Sequence, residues 1–149
     1  MNLEETLYRE DIELAPLSAR FFAFLIDKNI IAFLLIVIYW DAFSQCQGNY
    51  SAIVALILKM IWQLIILNVI YETIFLFLYG GTLGKMLLKI RVVNVSVLDS
   101  PNFLCSLNRA VVKTISEHLG YIPYVFVFFS PFLQAFHDYT AQTIVIKNA

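Results

Sequence analysis

Two carboxylates stand inside otherwise apolar stretches, and they are the residues best placed to do chemistry. Asp27 lies seven residues after Arg20, and Glu72 lies four after Asn68. At helical spacing each pair shares one face, with Arg20 and Asp27 about 10 Å apart along the axis. A carboxylate in hydrocarbon is costly unless it faces a bundle interior, a wet cavity or a partner. Two readings of Asp27 stand. In one it is an ion or proton site, with Glu72 at matched depth sharing a monovalent cation or a proton. In the other it is a packing lock paired with Arg109 or Lys113, and breaking such a lock strands a charge. For Glu72 a base in the 103–119 segment is the favoured partner, because those bases need partners too.

Other polar groups carry less. Arg109, Lys113 and Glu117 repeat at i, i+4 and i+8, which draws one polar stripe along a helix. Lys59 can snorkel and has little functional weight. His137 and Asp138 are neighbours, and adjacency alone makes no catalytic dyad. Asp138 reads as the cap of an interfacial turn. The run GGTLGK at 80–85 lacks the spacing of a phosphate loop. It reads as a glycine turn leaving the membrane, with Lys85 at anionic headgroups. No Ser/His/Asp triad, HExxH motif or cysteine cluster is present, so no enzyme, metal centre or cofactor is expected. Cys46 and Cys105 read as unpaired packing residues.

Composition says what must hold these groups. Of 149 residues, 60% are hydrophobic and 14% charged, against about a quarter charged in soluble domains. That is too little polar surface for a water-facing body, so the partner is a lipid bilayer. A net charge of −1 gives no nucleic-acid surface. Helices are expected at about 18–40, 51–79, 103–119 and 123–136. In the first, seventeen apolar residues at about −0.4 kcal/mol each gain roughly 7, while Asp27 and Lys28 lose about 5–7 near the centre. Its insertion is marginal unless Asp27 finds a partner and Lys28 snorkels. The second is longer than a bilayer core of about 30 Å and must tilt or emerge. Pro131 is expected to kink the fourth.

Between them, residues 90–97 alternate apolar and polar and are β-branched, which predicts a strand. Residues 143–147 are a second. The loop 41–50 has no Lys or Arg, whereas 80–113 has five, so that region and the N-terminus belong in the cytoplasm. Three or four membrane helices fit. Four is preferred, because 103–119 and 123–136 would form a membrane hairpin and leave both strands on one side. The expected fold is an all-α membrane bundle with a small cytoplasmic β-element. Residues 1–17, with five acids, read as a short solvated cytoplasmic tail, with an interfacial helix as the alternative, before a single domain at 18–147.

The order of these motifs resembles the RDD family of bacterial membrane proteins. Arg20 and Asp27 in APLSARFFAFLID look like its first arginine and first aspartate. GGTLGKMLLKIRVVN resembles its turn and strand after the second helix. Arg109 in LNRAVVK matches its next basic helix, and Asp138 in HDYTAQTIVIK its second aspartate. Gln142 and Lys89 depart from positions where glycine is expected. The resemblance implies a multi-pass protein of the bacterial inner membrane. It implies transport of an unidentified ligand or cation/proton exchange, or else an adaptor role. Two hypotheses follow. One is a transporter, oligomeric because four helices enclose little space, centred on Asp27 with Glu72, Arg20 and Arg109. The other is a scaffold or regulator binding a membrane-protein partner, in which these charges, with Lys113, only lock the bundle.

Overall fold

The computed structural model describes residues 2–148. Two long helices dominate it, α2 (Leu17–Ile38) and α4 (Tyr50–Tyr79). Helix α2 begins directly after Pro16, whose extended backbone serves as the cap. A short α3 (Trp40–Gln45) and a turn lead to Asn49, whose side chain accepts the Ser51 amide at 3.1 Å. That satisfies one of the free amides at the start of α4. Gly80, left-handed at φ 70°, ends α4 and donates its amide to the Leu76 carbonyl.

The best 18-residue windows of α2 and α4 have mean hydropathies of 2.3 and 2.4, and only 6% of the α4 window is buried. Core helices of water-soluble proteins hide such surface, whereas here Trp62 is 72% exposed and Leu58 and Ile66 are also uncovered. Among the described residues these two helices are the ones long and apolar enough to cross a membrane. Helix α4, at about 45 Å, exceeds the bilayer core.

A small cap closes one end. Strand β1 (Ile90–Asn94) runs antiparallel to β2 (Thr143–Lys147), with Val92 opposite Val145. The strand expected over 90–97 stops at Asn94. There the side chain accepts the Ser96 amide at 2.9 Å and turns the chain. One sheet face joins Ile90, Val92 and Val145 to Ala15, Ala23 and Leu76 at the end of the long helices. The other joins Val93, Ile144 and Ile146 to Leu7.

Leu7 corrects the expectation of a solvated N-terminal tail. It sits on α1 (Leu3–Arg9), which packs on the sheet with Leu3, Ile12 and Leu14. Residues 13–15 then run along the free edge of β2. Ala15 donates to the Val145 carbonyl and Lys147 to the Glu13 carbonyl, both at 2.9 Å. A two-stranded hairpin is marginal alone, and this third edge supports it. The spacing of Leu3, Leu7, Ile12 and Leu14 carries the apolar signal, which five acids obscure.

Two further expectations change. Helix α6 (Phe103–His118) forms where predicted, capped by Asn102 accepting the Cys105 amide at 2.9 Å. At about 24 Å it is too short to span. Residues 123–136, expected as a fourth helix, are instead a 3-10 helix (Ile122–Phe128), a turn, and the start of α7 (Phe136–Thr140). Pro123 sits in the first turn of that segment. Pro131 supplies no amide to continue a helix. Residues 103–136 therefore hold one continuous α-helix where two arms of a hairpin were expected. The shared side that the strands require is met by two crossings as well as by four.

Lys89 and Gln142 lie just before β1 and β2 with left-handed φ of 54° and 50°. Only glycine adopts this conformation without crowding its Cβ, which explains a glycine preference at both places. Lys89→Gly and Gln142→Gly are each expected to stabilise the fold by about 0.5–1 kcal/mol. Unfolding in detergent measures this, and a lowered midpoint for both would contradict the assignment.

Candidate functional site

The cap meets the long helices through three buried charge networks. The first is centred on Asp27. Its Oδ1 accepts the Tyr71 hydroxyl at 2.8 Å and the Gly84 amide at 2.9 Å, and its Oδ2 accepts the Thr82 hydroxyl at 2.5 Å. The Tyr71 oxygen in turn accepts the Leu83 amide at 3.1 Å. Thr82 precedes α5 (Leu83–Leu87), so Asp27 sits at the start of a helix, where amides lack partners. Among the described residues no ion pair reaches Asp27. The expected lock with Arg109 or Lys113 is therefore not made, because other carboxylates hold both bases.

Glycine is required for this clamp. A Cβ on Gly84 would lie 2.3 Å from the Ala23 carbonyl oxygen and 3.0 Å from Asp27 Oδ1. The GGTLGK turn is thus a fitted contact with α2. It also carries Lys85 inward, not to the headgroups: the side chain is buried, 3.9 Å from Glu72.

The second network is centred on Arg109, which is 2% exposed. Its Nη1 donates to Glu72 Oε1 at 3.0 Å, and its Nε and Nη2 donate to Asp138 Oδ1 at 2.8 and 2.5 Å. Lys113 donates to the other Glu72 oxygen at 2.7 Å. Asp138 Oδ2 accepts the Ala135 amide at 3.2 Å and lies 3.7 Å from Arg20. Asp138 thus does cap its turn, but it also holds α7 to α6. Arg20 is not paired with Asp27 despite their shared face. It reaches the cap, donating to the carbonyls of Leu133 at 2.5 Å and Val145 at 3.2 Å.

The third network binds Lys28 to Glu117 at 2.6 Å and to the Asn68 side-chain oxygen at 3.1 Å. Asn68 and Glu72 therefore share a face, as their spacing required, and both look toward α6. Lys59 is exposed elsewhere on α4 and joins none of these networks.

Burial and neighbouring charge shape the groups in the cap. Desolvation works against the Arg109 guanidinium, but Asp138 and Glu72 outweigh it and raise its pKa. Desolvation likewise opposes the Asp138 carboxylate, and Arg109 leads the charges that hold it below the usual range. Burial pushes Lys85 down to about 7, helped by Arg109 and opposed by Glu72. Burial also pushes His137 down to about 3, opposed by Asp138 and helped by Arg109 and Lys113.

Beside the networks lies a cavity of about 360 Å³ between α2, α6, the 3-10 helix and α7. Phe21, Phe24, Tyr121 and Val127 form its apolar wall. Arg20, Asp27, Lys85 and His137 are among its polar lining residues. Tyr71, Thr82, Gly84 and Tyr124 were not singled out from sequence. A threonine cap with free helix amides behind it was the available signal for Thr82 and Gly84. Nothing in the spacing marks Tyr71 or Tyr124.

Gly84→Ala is expected to destabilise by about 1–3 kcal/mol or more, since backbone must move. An unchanged unfolding midpoint would refute the close approach. His137 gives a pH dependence. Its folded pKa lies below its ordinary value of 6.5, so its contribution is full above 6.5 and is lost as pH falls toward 3. Asp138 starts to lose its own contribution only below 3.8. Between those ranges stability should fall by up to about 1.4 kcal/mol per pH unit, and His137→Asn should flatten the profile.

Comparison with known proteins agrees with this architecture. No solved structure matches the chain. An uncharacterized protein of Rickettsia prowazekii (strain Madrid E) is 29% identical over 105 residues, covering 68% of this chain and 56% of the relative. The chain thus spans just over half the length of that relative. The model of the RDD family matches residues 14–142, from the edge segment through Arg20, Asp27, Arg109 and Asp138 to the residue before β2. The chain belongs to the RDD family, and two of its helices are long and apolar enough to cross a membrane.

Proposed function

We propose that the protein is a membrane-integral binding or regulatory module, in which the buried charges lock a cytoplasmic cap onto two membrane-spanning helices. One observation carries this reading: protein donors already occupy the carboxylates of the site. Asp27 receives three hydrogen bonds, Glu72 receives Arg109 and Lys113, and Asp138 receives Arg109 and a backbone amide. A cation site needs carboxylate oxygens free to replace water, and Lys85 in their midst repels a cation as well.

The basic cap segments support a cytoplasmic N-terminus and cap, and with the family they support a bacterial inner-membrane location. The uncovered apolar faces of α2 and α4 leave room for a homo-oligomer or a membrane-protein partner.

A second reading, transport of a ligand or exchange of a cation for protons at Asp27, draws on one observation. Asp27 borders the cavity without a cationic partner. Ion-driven flux in proteoliposomes separates the two. The binding-module reading expects wild-type flux equal to that of empty liposomes. Flux that Asp27→Asn abolishes would overturn it in favour of transport. Loss of the lock is measured separately: Arg109→Met removes a buried partner from two carboxylates and should cost about 3–5 kcal/mol.

A further inference from the structure

In the walls of the cavity are polar atoms that no hydrogen bond uses. Lys85 Nζ, Arg20 Nε, Tyr124 Oη and His137 Nδ1 are buried, have no hydrogen-bond partner, and belong to residues lining this one cavity. Lys85 is 7% exposed and His137 is 5% exposed. Buried polar atoms are almost always paired, so four unpaired atoms around one space point to something that completes them.

Their chemistry narrows the choice. Lys85 and Arg20 can only donate, Tyr124 can donate as well, and His137 Nδ1 donates in its Nδ1–H tautomer. The carboxylates nearby are turned to other donors. The lining residues Arg20, Lys85, Arg109 and Lys113 are four basic groups against the lining carboxylates Asp27 and Asp138 and the adjoining Glu72, so basic groups outnumber acidic ones there. An oxyanion meets all of these conditions. It would also keep the Lys85 amine protonated against the burial that pushes it down to about 7.

The remaining wall is apolar. Phe21 and Phe24 come from the first turns of α2, and Val127 and Tyr121 also line it. Phe21 is itself 58% exposed, so the apolar wall is continuous with the outer apolar face of α2. A small inorganic anion would leave this wall unused, and the volume falls within the range of sites for organic ligands.

We propose that this cavity binds an anionic amphiphile, its phosphate or carboxylate among Lys85, Arg20, Tyr124 and His137 and its apolar tail leaving past Phe21. The proposal deepens the binding-module reading and rests on it. Two sources share this chemistry, an anionic phospholipid of the bilayer and a fatty-acid-type carboxylate.

The test uses the full chain in neutral detergent with a fluorescent lysophosphatidylglycerol, competed by oleate, lysophosphatidylcholine or inorganic phosphate. Saturable binding is expected. Lys85→Met should weaken it by about tenfold, since a charge-assisted contact is lost. Val127→Trp should weaken it comparably by filling the space while leaving every ion pair in place. Gel filtration and the unfolding midpoint check that both variants are folded. If oleate competes more strongly than unlabelled lysophosphatidylglycerol, the source is a carboxylate. The reverse assigns a phospholipid. Either result supports the proposal. Three results would overturn it: equal affinity for lysophosphatidylcholine, full displacement by inorganic phosphate, or binding unaffected by both variants. Absence of binding with absence of flux sinks this proposal alone. Binding accompanied by Asp27-dependent flux sinks the static-module reading and leaves this one standing.

Discussion

The rest of the structure depends on one buried guanidinium. Arg109 bridges Glu72 on a membrane-spanning helix and Asp138 in the cap, and is itself almost fully buried. Taking three charges from water is expensive, and their attraction repays that only when the geometry is good and remaining atoms are paired. Those conditions are met here. Arg109 donates from three nitrogens, Lys113 covers the second Glu72 oxygen, and a backbone amide covers the second Asp138 oxygen. The bridge acts less as a source of net stability than as a register. Another orientation of α6 would strand charge in an apolar setting.

Asp27 shows the same constraint met without counter-charge. Its three donors are neutral, and they come from α4 and from the start of α5. This makes a carboxylate tolerable in the middle of an apolar helix. It does so only because α5 approaches the α2 backbone closely enough to need glycine at position 84. The two clamps are therefore coupled through α5, which carries Gly84 to Asp27 and Lys85 toward Glu72.

Much of this was legible in residue order. The apolar lengths of α2 and α4, the polar stripe of α6, the shared face of Asn68 and Glu72, and both strands follow from periodicity. Lys89 and Gln142 stood out against a glycine expectation, and their left-handed backbone supplies the physical reason. What stayed hidden was pairing across long separations. Spacing places Arg20 and Asp27 on one face but does not say that the longer side chain turns back to the Leu133 and Val145 carbonyls. Composition marks 123–136 as apolar. It does not show that two prolines and a left-handed Tyr121 leave a 3-10 turn and an irregular wall instead of a spanning helix. The acids in residues 1–17 outweigh four well-spaced apolar positions by eye, though those positions decide the packing.

The edge contact between residues 13–15 and β2 bears on how the protein is made. Glu13 and Lys147 meet across 134 positions, so the segment before α2 waits for nearly the whole domain to be synthesised before its backbone is paired. Asp27, Lys28 and Glu72 enter the bilayer in that interval without their later partners, since Thr82, Gly84, Arg109 and Glu117 all follow them in the chain. Contacts of such long separation form late and leave apolar and charged surface open meanwhile. Assembly therefore passes through a state in which α2, marginal by itself, has no cap to pair its charges. Pairing of β2 with β1 and with residues 13–15 closes the cap, so a local strand at Thr143–Lys147 governs whether charges on distant helices find their partners.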